Sequence, residues 1–254
     1  MNNLKKNAFC ECILILMVII VTASNLYAAE ILVSAAMSLK DVFTEIARDF
    51  EKTYPRNKVL LNFASSGQLQ KQIEQGAQAD VFASASVKEL NSLMDEGLII
   101  NATRRTFARN SLVIISSHTF KAIDDLLKDG VGKVAIGDPD IVPAGKYAKE
   151  ALEHYKMYAR IKNKIIFAEN VRQVLGYVVR KEVDAGIVYN TDALTVKDPS
   201  LTVLTIDAKS HENIEYPMAV VKGTQHESAA RLFTDFVASK TASDILKKYG
   251  FLTP

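Results

Sequence analysis

Short apolar runs alternate with longer stretches whose apolar residues recur three and four positions apart, and the alternation extends over two blocks of the chain. Residues 31–35 form the first run, after which Leu39, Val42, Phe43, Ile46, Ala47 and Phe50 mark one face of a helix. The pattern repeats as 59–63 then 68–75 up to Gly76, and as 80–83 then 87–94 up to Gly97. In the second block, strands are expected at 111–116, 133–136, 164–167 and 185–189. Helices are expected at 144–158 and 171–181. Repeated strand–helix alternation argues for a parallel sheet covered by helices, which places the chain in the α/β class. Two blocks within 254 residues suit two lobes. Strands at 201–206 and 214–221 precede C-terminal helices that end near Gly250, and no low-complexity linker or internal repeat is visible. The lobes are therefore expected to be joined by strands rather than by a loose tether.

The first 28 residues read as an export leader: Lys5 and Lys6, an unbroken apolar core at 13–21, then Ala28 and Ala29. Glu11 interrupts the apolar stretch, and this favours a cleaved leader over a retained anchor, which needs about 20 apolar residues. Both cysteines, Cys10 and Cys12, fall inside it, so the mature chain has no disulfide, thiolate or cysteine metal site. A periplasmic protein is expected. With 48% hydrophobic residues, 24% charged residues and a net charge of +2, the chain can build full cores yet shows no basic run for nucleic acid.

Four helix starts stand out: AAMSLKD (35–41), NFASSGQ (62–68), DIVPAGKYA (140–148) and AENVRQV (168–174). A helix N-terminus presents unpaired N–H groups and the positive end of the helix dipole, so several converging starts make an anion socket without a charged side chain. Ser38 with Asp41, and Ser65 with Gln68, have the spacing of a capping box. Plain capping is therefore the competing reading for these serines. Ligands of open α/β sheets sit beyond the carboxyl ends of the strands, where Ser38 and Ser66 would point into one region. Pro143 suits a first helical position and leaves Ala144 as the first free N–H, while Asn170 is placed to cap a helix beginning at Val171. Tyr189 ends the run GIVY; the residues alone leave open whether it is a wall residue or a phenolic donor.

Enzyme signals are weak. His118, His154, His211 and His226 are scattered without metal spacing, no G-x-S-x-G elbow surrounds a serine, and Asp138 and Asp140 flank Pro139 in a turn.

The helix-start motifs, together with QADVFASAS (78–86), NSLVII (110–115), AIGDPDIVPAGKYAKEAL (135–152), AENVRQVLGYV (168–178), GIVYNTDA (186–193), EYPMAVV (215–221) and KKYGF (247–251), occur in one order along the chain. This sequence resembles the periplasmic molybdate-binding proteins of ABC importers, which also bind tungstate. The resemblance implies a two-lobed type II periplasmic-binding-protein fold, each lobe a mainly parallel sheet flanked by helices, with the anion between them. Lobe I is expected over 30–115 plus 215–254 and lobe II over 116–214, with hinge strands near 111–116 and 201–221. The family's ligand contacts correspond to the Ser38 and Ser66 hydroxyls, the Ala144 and Val171 backbone donors and the Tyr189 phenol. Departures are slight: Met37 beside the first serine, and Asn190 after the tyrosine. The resemblance further implies no catalysis, no cofactor, molybdenum held only as its oxyanion, a monomer, and an ABC permease in the inner membrane as partner. Two other readings remain: a carrier for another tetrahedral oxyanion such as sulfate, and a secreted serine hydrolase.

Overall fold

The computed structural model describes residues 29–254; the expected leader lies outside them. In chain order the elements are β1 (Ala29–Ala36), α1 (Lys40–Thr53), β2 (Asn57–Ala64), α2 (Ser66–Glu74), β3 (Val81–Ala83), α3 (Val87–Asp95) and β4 (Arg105–Arg109). The chain then crosses into β5 (Leu112–Ser116), β6 (Val134–Gly137), α4 (Pro143–His154), α5 (Tyr158–Ile161), β7 (Ile165–Ala168), α6 (Val171–Val179), β8 (Ala185–Tyr189), α7 (Asn190–Ala193) and β9 (Thr202–Thr205). It returns as β10 (Glu215–Val220), α8 (Glu227–Val237) and α9 (Lys240–Lys248).

Two five-stranded sheets result, ordered β2-β1-β3-β10-β4 and β7-β6-β8-β5-β9. In each, four strands share a direction and one runs against them: β10 pairs antiparallel with β3 and β4, and β5 with β8 and β9. The sheets are thus mixed rather than simply parallel, because each receives one strand of chain arriving from the other lobe. That exchange also moves a boundary. Residues 112–115, expected in lobe I, hydrogen-bond in the second sheet, so the crossover falls at Asn110 and Ser111.

Strand β4 was not foreseen. It is an edge strand whose Phe107 and Ala108 are buried but whose Arg105 and Arg109 face solvent, so the segment lacks an apolar run. The helix expected over 144–158 breaks after His154, where Lys156 takes φ 57°, and resumes as α5. The stretch 123–127 is a short 3-10 helix.

The first lobe's core is aromatic. Phe50 of α1 meets Phe233 and Phe236 of α8 edge-on at 5.2 and 5.6 Å, and Phe43 meets Phe107 at 5.5 Å. Such pairs contribute about 0.5–1.5 kcal/mol each beyond the area they bury. They lock α1, which follows directly on the segment carrying Ser38, onto the sheet and the C-terminal helices.

Candidate functional site

Register brings the site residues together. β1 and β2 run parallel and in step from Ala29 beside Asn57 to Ala36 beside Ala64. Ser38 and Ser66 each lie two residues beyond that last pair, so both emerge at the same sheet edge. In the second lobe β6 pairs with β7 up to Gly137 beside Ala168, and α4 and α6 start just beyond those ends. Gly145 makes the tight start of α4 possible: a Cβ there would sit 2.0 Å from the Gly137 carbonyl oxygen. No larger residue fits that approach, which sets Ala144 hard against the end of β6.

The carboxyl ends of the two sheets face one another, and one cavity lies between them, walled by Ala36, Met37, Ser38, Ser65, Ser66, Ala85, Val142, Pro143, Ala144, Asn170, Val171 and Tyr189. All five expected residues are in this wall, and none of its residues is charged. The cavity is small, about 10 Å³. Ser66 and Val171 occupy first helical positions and Ala144 a second, where the N–H has no acceptor within its own helix. Asn170 caps α6 as expected, its Oδ1 accepting from the Gln173 N–H at 3.0 Å. Pro143 opens α4 as expected.

The serines are not equivalent. Gln68 Oε1 accepts from the Ser65 N–H at 3.3 Å and from the Ser65 hydroxyl at 2.9 Å, so Ser65 serves the helix start and leaves Ser66 for the cavity. Ser38 does not cap α1. It lies inside a 3-10 turn, Met37–Leu39, that precedes the helix, and its Oγ lies 3.2 Å from the Tyr216 hydroxyl. The capping-box spacing of Ser38 with Asp41 is therefore coincidental, because the inserted turn places Ser38 two residues ahead of Lys40, where α1 begins.

Tyr189 is fully buried, and its hydroxyl lies 3.5 Å from the Ala85 carbonyl across the cleft. Burial, reinforced by Tyr216, Tyr147, Asp192 and Glu89 nearby, pushes its phenol well above the ordinary tyrosine range. It stays protonated and is a donor throughout the physiological range. Tyr216 is shifted upward as well, chiefly by burial.

Arg172, next to the wall residue Val171, does not itself line the cavity. Its guanidinium binds Asp192 at 2.5 Å on its own lobe and Asp41 at 2.6 Å on the other. Asp192 is wholly buried, its Oδ2 has no partner among the described residues, and burial raises its carboxyl to about 6 despite Arg172. Asp192 and Asp41 in turn hold the guanidinium above its usual range, against the pull of burial. Arg172 thus ties the lobes together while its charge is already neutralised.

A second tie runs through Gly67, whose N–H donates to the Ile141 carbonyl across the cleft at 3.0 Å. This amide is occupied by lobe closure. Sequence reasoning gave no role to Asn110, Tyr216, Ala85 or Arg172, and gave Asp41 only that of a capping partner. The signal of two of them was present, since Asn110 opens the conspicuous motif NSLVII and Tyr216 is the second residue of EYPMAVV, but nothing local told which way they face.

Two α/β lobes that exchange strands and close on a small, donor-lined, charge-free cavity define a two-lobed type II solute-binding protein. A family model for bacterial extracellular solute-binding proteins matches residues 31–252, and the chain belongs to that family. Its members bind and hand over solutes, so this is an exported transport protein and not an enzyme. Among relatives, the molybdate-binding protein of Escherichia coli is 38% identical, the match covering 90% of this chain and 92% of that one. The solved substrate-binding domain of a molybdenum ABC transporter from Clostridium difficile is 36% identical with a TM-score of 0.69, covering 89% of this chain and all of the other. The periplasmic molybdate-binding protein of Azotobacter vinelandii superposes with a TM-score of 0.82 at 25% identity, covering 88% and 99%.

Proposed function

We propose that this protein captures molybdate, and also tungstate, in the periplasm and delivers it to an ABC-type permease in the inner membrane. The observation that carries the reading is the cavity wall: Ser38 and Ser66 from one lobe and Ala144, Val171 and Tyr189 from the other, all neutral donors, around a space the size of a small ion. Each hydrogen bond to a charged acceptor contributes about 1.5–3 kcal/mol, and each helix end about 0.3–1, rising to roughly 2 when partly buried. Five such groups suffice for tight binding after ordering costs. A wall of donors suits a fully deprotonated dianion and disfavours one that brings its own proton. The names of the relatives favour molybdate within that group.

In this reading the leader is cleaved near Ala28, the mature protein acts as a monomer, and the lobes are 29–109 with 215–254 against 112–205. The donors belong to both lobes, so the anion stabilises the closed form that the permease recognises. Changing Ser38 and Ser66 together to Ala should weaken molybdate binding about 10²- to 10⁴-fold by calorimetry, on the scale of two lost charge-assisted bonds. Unchanged affinity would sink the site assignment. Competition against sulfate tests the anion: sulfate displacing molybdate at equal concentration would assign the chain to sulfate.

A further inference from the structure

Behind Ser38 lies a chain of buried hydrogen bonds whose direction can be read from its first member. Asn110 sits at the crossover between β4 and β5, and its Oδ1 accepts from the Ser111 N–H at 2.9 Å. That fixes the amide: its Nδ2, which can only donate, lies 2.8 Å from Thr191 Oγ1 and 3.2 Å from the Tyr216 hydroxyl oxygen. The Tyr216 oxygen is therefore the acceptor toward Asn110. Among the described residues, the phenol's own hydrogen then has one acceptor, Ser38 Oγ at 3.2 Å. The opposite polarity would leave a fully buried O–H without a partner, which is strongly disfavoured. Ser38 Oγ thus accepts from Tyr216, and its own hydrogen, with no acceptor among the described residues, is left for the cavity. Ser66 is set the same way, because the Ala85 N–H donates to its Oγ at 3.0 Å.

We propose that Asn110 and Tyr216 are positioning residues that lock the Ser38 hydroxyl as a donor, so that the site refuses oxyanions carrying a proton and accepts fully deprotonated dianions. The proposal rests on the oxyanion reading above and adds what fixes the polarity of the site. Without the relay, Ser38 can rotate and accept, and a hydrogen oxyanion then finds a partner for its proton. Tyr216 touches no ligand; it acts through Ser38.

The test compares molybdate with hydrogen arsenate by calorimetry at neutral pH, in wild type, Tyr216→Phe and Asn110→Asp. The Phe variant removes the donor while keeping the ring that packs against Phe107, Tyr189 and Phe251. The Asp variant replaces the donor facing Tyr216 with an acceptor and draws the phenol's hydrogen away from Ser38. In either variant the affinity ratio of molybdate to arsenate should fall about tenfold or more, the scale of one hydrogen bond to a charged group. In a Ser38→Ala background, Tyr216→Phe should leave the ratio unchanged. Weaker molybdate binding with the wild-type ratio in both variants would mean mere structural support and overturn the proposal. Wild type that does not bind molybdate would overturn the oxyanion reading itself, which separates the two failures.

Discussion

Gly67 offers a way to separate closure from folding with one methyl group. In Gly67→Ala the new Cβ would stand 2.7 Å from the Ile141 carbonyl oxygen and 2.8 Å from its Cα, both backbone atoms that cannot swing aside. Overpacking of this kind costs about 1–3 kcal/mol. The N–H bond from Gly67 to Ile141 stretches as the lobes part, which forfeits about 0.5–1.5 kcal/mol more. The closed form, and with it affinity, should weaken about 10- to 1000-fold. Within its own lobe the methyl is harmless, since Gly67 lies in the first turn of α2, where Ala is the better helix former by up to about 1 kcal/mol. Calorimetry with molybdate should therefore show the loss, while thermal unfolding without anion shows a midpoint unchanged or slightly raised. Wild-type affinity would refute the closure geometry. A matching drop in unliganded stability would mean that the methyl disturbs the lobe and not the cleft.

Asp41→Asn removes the reach of Arg172 across the cleft while leaving its bond to Asp192. Because Asp41 is about 41% exposed, the loss is that of a screened pair, about 0.2–1 kcal/mol, and should appear as an up to fivefold faster release of molybdate in stopped flow, fading at high salt. Asp184 accepts N–H bonds from Gly132 and Lys133 at 2.8 Å each; burial pushes its carboxyl up, but these bonds and His118 hold it below the ordinary range. A depressed carboxylate stabilises the fold above its unfolded value near 3.8 and loses that contribution as pH falls through the lower folded value. Asp184→Asn should therefore cost about 1 kcal/mol at neutral pH in urea titrations, with the gap to wild type closing in strong acid; a gap constant with pH would contradict this.

Much of this molecule is legible in its residues, and the gaps have physical causes. The alternation of apolar runs and helical faces marks nine strands because each carries a short apolar run, even at the edges, where β2, β7 and β9 leave part of theirs exposed. The tenth, β4, lies at an edge and shows only half a pattern. The helix starts at Ser66, Pro143 and Asn170 are visible because capping is local chemistry. Strand direction is a long-range choice, so the antiparallel intrusion of β5 and β10 leaves no local trace. The same holds for the cleft. Ser38, Ser66, Ala144, Val171 and Tyr189 could be named from local motifs and family resemblance, whereas Asn110, Tyr216 and the Asp41–Arg172–Asp192 bridge exist only once distant segments meet.

The position of β10 has a consequence for the order in which the protein can be built. In the first sheet β10 lies between β3 and β4, so β4 has no neighbour until Glu215–Val220 has been made. The second sheet draws all its strands from the unbroken stretch 112–205 and can assemble as that stretch emerges. The first lobe, begun earliest, is finished last, and its closing contacts span more than a hundred residues, the kind of distant pairing that slows folding. A chain that must cross a membrane before it folds is helped by such a delay: the strand that completes its first sheet is among the last parts to be synthesised.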